Sequence, residues 1–170
     1  MKNIPFFKPS VNSKEINEVG DVLDYTTSNK VQELEIKFQK YIGAEYAVST
    51  TTGTSAIHLA LCAMDLKRGD KIICPVNAPP MIAETIRHFD AEPIFIDVNE
   101  DDFNISLEDL EKYLLNNKPK KLRAIFISHI GGQGADLKKI KNLADDYNLK
   151  LIADASYALG GTYDGQKIGL

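Results

Sequence analysis

Apolar and polar positions alternate along this chain with two different periods, one typical of helices and one typical of strands. In the first 45 residues the apolar side chains recur at helical spacing. Ser13 predicts the start of a helix over 14–25, and Gly43 predicts the end of a second helix over 31–42. The chain therefore begins with two predicted helices and no strand.

From residue 46 onward, short β-branched runs alternate with helical patterns. The predicted strands are 46–49, 71–74, 93–97, 122–129 and 150–154. The predicted helices are 55–64, 81–89, 107–115 and 136–147. Strands that alternate with helices form right-handed βαβ units, so the sequence predicts an α/β fold with three α-β-α layers and a mainly parallel sheet. Near the end, Asp164 and Gly165 predict a hairpin turn.

Composition excludes several classes of protein. The 24 acidic and 20 basic residues give a net charge of −4, which argues against a nucleic-acid surface. No apolar run approaches the roughly 18 residues that a membrane-spanning helix needs. Cys62 and Cys74 lack the spacing of a zinc site or a redox pair, and the first residues do not form a secretory signal. We expect a cytoplasmic protein with no nucleic-acid or membrane partner and no metal.

Polar residues collect where the predicted strands end, which is where open α/β sheets bind their ligands. The first of these places is a turn that contains Thr52, Gly53, Thr54 and Ser55 and leads into a helix. Gly53 allows close backbone approach, and the start of a helix offers free N–H groups to an anion. The turn therefore suits a phosphate, although an ordinary capped turn explains the same residues equally well.

Asp154 ends the apolar run of the last predicted strand. A carboxylate in such a place needs a partner, because its desolvation is costly. One interpretation is a cap for the following turn. The other is a buried cation, for which a protonated pyridine nitrogen is suitable. His129, at the end of the preceding strand, is by itself more typical of a structural histidine.

Several segments, in order, resemble one known family, the DegT/DnrJ/EryC1/StrS sugar aminotransferases of aspartate-aminotransferase fold type I. The resemblance covers nearly the whole chain. The matching segments are 30–38 with Gly43, 52–61, 69–75, 91–98, 104–105, 129–136, 154–160 and 165–169. No single segment is decisive, but the ordered set is specific.

The resemblance implies a pyridoxal-phosphate enzyme that transfers an amino group, usually from glutamate, to a keto-deoxysugar linked to a nucleotide. The amino sugars made by the family serve surface polysaccharide, glycan or antibiotic synthesis, and its members are usually homodimers. Residues 1–45 then correspond to an N-terminal helical arm. Residues 46–170 correspond to an incomplete large domain that binds the cofactor.

The same resemblance implies the residues that hold the cofactor. Gly53 and Thr54, next to Thr52, bind its phosphate, and Asp154 pairs with its pyridine nitrogen. No metal takes part. In the family the lysine that forms a Schiff base lies beyond Gly169, so no catalytic residue is expected within these 170 residues.

Two positions depart from the family pattern. Pro79 stands where the family usually has an aromatic ring stacked on the cofactor, and a proline ring gives a weaker contact of different shape. Tyr157 stands where Gln or His usually bonds the phenolic oxygen of the cofactor, and its hydroxyl offers the same bond with a longer reach. Both are expected to contact the cofactor.

Three alternatives stay open at this stage. The first is the sugar-dehydratase branch of the same family, in which His replaces the lysine. The second is a degenerate remnant that acts at most as a binding module. The third is a simple nucleotide-binding α/β domain, which is disfavoured because both GxGxxG and GxxxxGK[ST] are absent.

Overall fold

The computed structural model describes residues 5, 8–23, 29–117 and 120–169. Its first two helices are α1, Ser13–Val22, and α2, Lys30–Ile42. The predicted cap of α1 is wrong by one residue. Asn12 accepts the N–H of Lys14, and the Glu15 carboxylate accepts the N–H of Asn12, so Asn12 and Glu15 form a capping box. The predicted end of this helix, at residue 25, lies outside the described residues.

Helix α2 ends at the glycine that the sequence indicates. Gly43 has a φ of 90°, in the left-handed region that favours glycine, and its N–H donates to the carbonyl of Gln39 at 2.9 Å. The prediction for the end of this helix is therefore confirmed.

Four parallel strands form the central sheet: β1, Lys71–Pro75, β2, Glu92–Ile96, β3, Leu122–Ser128, and β4, Lys150–Asp154. Their order across the sheet is β2-β1-β3-β4. The register between β3 and β4 places Ser128 beside Asp154. Because all four strands run in the same direction, their carboxyl ends meet at one edge of the sheet.

The fifth predicted strand, at 46–49, is absent from the structure. This segment pairs with no strand in the described parts of the chain, and Tyr46 and Val48 are 78% and 70% exposed. Its link to the fold is Ser49, whose N–H and hydroxyl both donate to the Glu35 carboxylate. Alternation in sequence predicts a strand only where a neighbour supplies hydrogen bonds, and none does so here.

Helices cover both faces of the sheet, which confirms the three-layer α/β fold. The helices are α3, Gly53–Ala63, α4, Met81–His88, α5, Leu107–Asn117, and α6, Leu137–Asp146. Ile73 and Ile125 face α5 and α6, whereas Ile72 and Phe126 face α3 and α4. Neighbouring strand residues point to opposite faces, so the buried residues 72–75 of β1 and 124–127 of β3 are apolar on both faces of the sheet.

A small hairpin follows the sheet. Strands β5, Thr162–Tyr163, and β6, Gln166–Lys167, pair antiparallel around Asp164 and Gly165, whose φ angles are 51° and 80°. Two positive φ angles in a two-residue loop are typical of a type I′ turn, as the Asp-Gly pair predicts. Within the described residues, no helix has the length and apolar character that crossing a membrane requires.

Candidate functional site

The start of α3 and the end of β4 line the same cavity, which has a volume of about 230 Å³. Its walls come from α3, from the facing side of β3 and β4, from the turn after β4 and from the first residue of α4. The lining residues are Gly53, Ala56, Ile57, Ala60, Met81, Phe126 and Ile152 to Ser156. The structure thus brings together Gly53 and Asp154, two residues that are about 100 positions apart in the sequence.

A larger cavity of about 570 Å³ lies beside Arg123, Asn148 and Lys150. It contains neither the start of α3 nor Asp154. Volume alone therefore does not identify the site, and the smaller cavity is the candidate because polar groups of opposite character meet in it.

The α3 end of the cavity offers hydrogen-bond donors. The Thr52 hydroxyl oxygen caps the helix by accepting the N–H of Ser55 at 3.0 Å, and the Thr52 carbonyl accepts the N–H of Ala56 at 3.1 Å. Gly53 and Thr54 are the first two helical residues, whose N–H groups have no intrahelical partner. These two N–H groups and the positive end of the helix dipole suit a phosphate.

Gly53 leaves room on the cavity side of this helix start. A Cβ added there would meet a single side-chain atom within 4 Å, the Met81 Cε at 4.0 Å. The space on the Cβ side of Gly53 is therefore open.

The capping interpretation of Asp154 is confirmed, and the cation interpretation stays a prediction. Its Oδ1 accepts the N–H of Ser156 at 2.9 Å and the Ser156 hydroxyl, so the carboxylate does cap the next turn. Its Oδ2 makes no hydrogen bond within the described part of the chain. The side chain is half-buried in the cavity wall. One oxygen is therefore structural, while the other is available to a cation.

His129 follows β3 directly and is buried next to Asp154. Its backbone N–H donates to the carbonyl of Asp154 at 3.0 Å, and its Nδ1 accepts the N–H of Ala135 at 3.1 Å. Because Nδ1 is an acceptor, the proton of the neutral ring lies on Nε2. Nε2 and the Ser128 hydroxyl are both buried without a partner among the described residues. The sequence alone does not predict this environment, because only the folded chain brings Ala135 and Asp154 into contact with His129.

Burial lowers the pKa of His129, and the nearby negative charge of Asp154 opposes that shift only in part. The unfolded chain thus takes up a proton near the ordinary His pKa of about 6.5, while the folded chain resists protonation. The stability that neutral His129 contributes is present above about pH 6.5 and is lost as pH falls below it. We expect the free energy of unfolding to fall as the pH decreases below about 6.5, by at most about 1.4 kcal/mol per pH unit.

Urea unfolding at several pH values measures this dependence. The variant His129→Gln is expected to flatten it, whereas His88→Gln, at an exposed histidine, is expected to leave it in place. Hydrogen bonds hold the pKa of Asp102 and of Asp136 below the usual value. Protonation of these carboxylates therefore destabilises the fold only at a lower pH than protonation of His129 does. An unchanged slope in His129→Gln would show that His129 is not the titrating group.

The remaining predicted residues lie at different distances from the cavity. The Thr54 hydroxyl donates to the Met81 sulfur at 3.0 Å, beside Gly53. Pro79 is half-buried in the turn before α4, where its carbonyl accepts the N–H of Ile82, and it is not among the described lining residues. Tyr157 is 73% exposed and is also outside the lining. The predicted contacts of Pro79 and Tyr157 with the cofactor therefore stay predictions.

The glycine-rich loop after β3 lies against the turn that carries Tyr157. A Cβ at Gly132 would lie 2.6 Å from the Tyr157 carbonyl oxygen, and Gly132 has a φ of 86°. Only glycine fits both conditions without strain. This close approach holds the turn after Asp154 against the end of β3.

Comparisons with known proteins agree with the α/β fold. The sequence profile of the DegT/DnrJ/EryC1/StrS aminotransferase family matches residues 9–170. The chain is 34% identical to the GDP-perosamine synthase of Escherichia coli O157:H7, over 99% of the chain and 46% of the relative. The aminotransferase from Psychrobacter cryohalolentis superposes with a TM-score of 0.86 at 31% identity, over 97% of the chain and 42% of that structure.

A Streptococcus pneumoniae protein, solved in a pyridoxal-phosphate form and a pyridoxamine-phosphate form, also superposes with a TM-score of 0.86. It is 26% identical, and the match covers 98% of the chain and 46% of that structure. The chain thus spans less than half the length of the curated relatives and solved structures that it matches.

Proposed function

Because the chain belongs to the DegT/DnrJ/EryC1/StrS aminotransferase family, we propose that it is part of an enzyme that aminates a nucleotide-linked keto-sugar. Pyridoxal phosphate is the cofactor that the relatives indicate. The observation that carries the proposal is that Gly53, at the start of α3, and Asp154, at the end of β4, line the same cavity. A small molecule that carries both a phosphate and a protonated ring nitrogen needs N–H donors for the phosphate and a carboxylate for the nitrogen.

The residues around the cavity fit the cofactor in charge and in polarity. The N–H groups of Gly53 and Thr54 bind its phosphate, and Thr52 holds the helix start in place. The free Oδ2 of Asp154 holds a proton on the pyridine nitrogen. His129 is next to Asp154 and is neutral, because burial lowers its pKa. It therefore adds no positive charge beside the Asp154 carboxylate, which can pair with the cofactor. When bound, the cofactor supplies a ring that stabilises negative charge at the reacting carbon of a substrate.

The proposed substrate is a keto-deoxysugar linked to a nucleoside diphosphate, with glutamate as the amino donor. Support for a GDP-linked sugar comes from the GDP-perosamine synthases of Escherichia coli O157:H7 and Vibrio cholerae, which are 34% and 28% identical to the chain. UDP-linked and dTDP-linked sugars follow from the family as a whole. The product would be an amino sugar for a surface polysaccharide or glycan.

Several further features are proposed from the family alone. They are the division into an arm over 1–45 and a cofactor domain over 46–170, a homodimer, and a cytoplasmic location. From the same resemblance we also propose that the catalytic lysine lies outside these 170 residues. We therefore propose that the chain by itself binds the cofactor but does not transfer an amino group.

An activity assay tests the proposed reaction. The longest polypeptide encoded by the reading frame that contains these residues is mixed with pyridoxal phosphate, glutamate and a GDP-linked keto-deoxysugar. We expect glutamate-dependent formation of an amino sugar and an equal amount of 2-oxoglutarate, both measured by mass spectrometry. The 170-residue chain, tested in parallel, is expected to give neither product.

Two results would contradict the proposal. One is the absence of amine transfer with GDP-, UDP- and dTDP-linked keto-deoxysugars by a polypeptide that binds the cofactor. The other is a product that loses a sugar hydroxyl without gaining an amine, which would assign the protein to the dehydratase branch.

A further inference from the structure

Met81 is the lining residue of the candidate site that comes from α4. It is the first residue of α4, and its side chain lines the cavity that holds Gly53 and Asp154. The other described lining residues belong to α3, β3, β4 and the turn after β4. Met81 therefore forms a wall of its own on the α4 side.

The Met81 thioether lies at the start of α3. Its sulfur accepts the Thr54 hydroxyl at 3.0 Å, and its Cε lies 4.0 Å from the place where a Gly53 Cβ would be. Thr54 and Gly53 are the residues proposed to offer N–H groups to the phosphate, so the thioether lies next to the phosphate end of the cavity.

Met81 also differs from the other large apolar side chains of the lining. Ile57 and Phe126 are 7% and 1% exposed and belong to the packed core, whereas Met81 is half-buried at the rim. Methionine has three rotatable bonds and a polarisable sulfur, so it fills irregular space and makes favourable contacts with aromatic rings. Pro79, two residues earlier, has a rigid ring and does not line the cavity.

We propose that Met81 packs against the pyridine ring of bound cofactor and supplies the apolar contact that the sequence assigns to Pro79. The proposal rests on the proposed function, because it needs pyridoxal phosphate or pyridoxamine phosphate in this cavity. Met81 acts as a binding residue: it touches the ring and exchanges no proton with it. The Thr54 hydroxyl keeps the thioether at the cavity wall before the ligand arrives.

Methyl NMR of the 170-residue chain tests this contact directly. The chain has three methionines, and Met64 lines the separate cavity near Arg123, so it is an internal control. On titration with pyridoxamine phosphate, the Met81 methyl signal is expected to shift upfield, because the methyl group lies over an aromatic ring. Inorganic phosphate alone is expected to leave the Met81 signal without this upfield shift, and the Met64 signal should stay in place with both ligands.

Affinity measurements give a second test. The chain contains no Trp, so the fluorescence of pyridoxamine phosphate can be followed without interference. Met81→Ala is expected to weaken pyridoxamine-phosphate binding about two- to tenfold, the range of a sulfur–aromatic contact. Met81→Leu, which keeps the volume, is expected to lose less, and Pro79→Ala to stay within about twofold of the wild type. Equal urea midpoints confirm that the variants are folded.

The outcomes separate this inference from the proposed function. If the wild-type chain binds no pyridoxamine phosphate, the proposed function and the role of Met81 both fail. If the wild type binds pyridoxamine phosphate and both Met81→Ala and Met81→Leu bind it as tightly as the wild type does, only the role of Met81 is overturned. A loss in Pro79→Ala with none in Met81→Ala would return the ring contact to Pro79.

Discussion

Replacing Asp154 with Asn is expected to weaken pyridoxamine-phosphate binding by about 30-fold, which is about 2 kcal/mol. Removal of one partner of a buried charge pair costs about 2 to 5 kcal/mol, and the lower end applies because Asp154 is half-buried. Asn keeps the Oδ1 that accepts from Ser156, so the turn after β4 is preserved. The loss therefore measures the interaction with the ring nitrogen.

Isothermal titration of the chain with pyridoxamine phosphate gives the two affinities. Asp164→Asn is a matched control, because it removes the same charge from the exposed hairpin turn. It also keeps a residue that tolerates a positive φ. The control is expected to bind as the wild type does. Equal affinities in Asp154→Asn and the wild type would show that this carboxylate does not bind the ring nitrogen.

Replacing Phe126 with Ala is expected to lower the free energy of unfolding by about 3 to 5 kcal/mol. Phe126 is 1% exposed in β3 and packs in the layer between the sheet and the helices α3 and α4. Its ring also lines the cavity, next to Ile152. Truncation therefore leaves an empty space under the proposed cofactor site. Native domains are stable by about 5 to 15 kcal/mol in total, so this is a large part of the whole.

Urea unfolding followed by circular dichroism measures the change. Phe95→Ala is the control, since Phe95 is 54% exposed on the edge strand β2. It is expected to cost less than about 1 kcal/mol. If both variants lost the same free energy, the β3 face would not form the tightly packed layer described above.

Four of the five predicted strands were predictable from sequence because each contains a short apolar run that packs against at least one helix layer. Every residue of β1 after Lys71 is buried and apolar, so this segment is a continuous apolar run, which is typical of a strand covered on both faces. The segment at 46–49 has the same local pattern but pairs with no strand among the described residues. Pairing is a property of the whole sheet, so a local pattern cannot distinguish this segment from a strand.

The candidate site was predictable to the extent that it follows from strand ends. Asp154 ends a strand that the structure contains, so its place at the carboxyl ends of the sheet was predictable. Gly53 follows the segment 46–49, which pairs with no strand among the described residues, so its place in the cavity depends on how α3 packs against the sheet. Met81 was not predictable in this way, because its access to the cavity depends on how α4 lies against α3. The environment of His129 likewise depends on the Ala135 N–H and on the strand next to it, neither of which a linear pattern reveals.

A crystal structure of the chain with pyridoxamine phosphate tests the central claim most directly. We predict one molecule in the cavity, with its phosphate on the N–H groups of Gly53 and Thr54 and its ring nitrogen within hydrogen-bond distance of Asp154 Oδ2. A molecule bound in another cavity, or one whose phosphate and ring nitrogen are not held by these two groups together, would contradict the account.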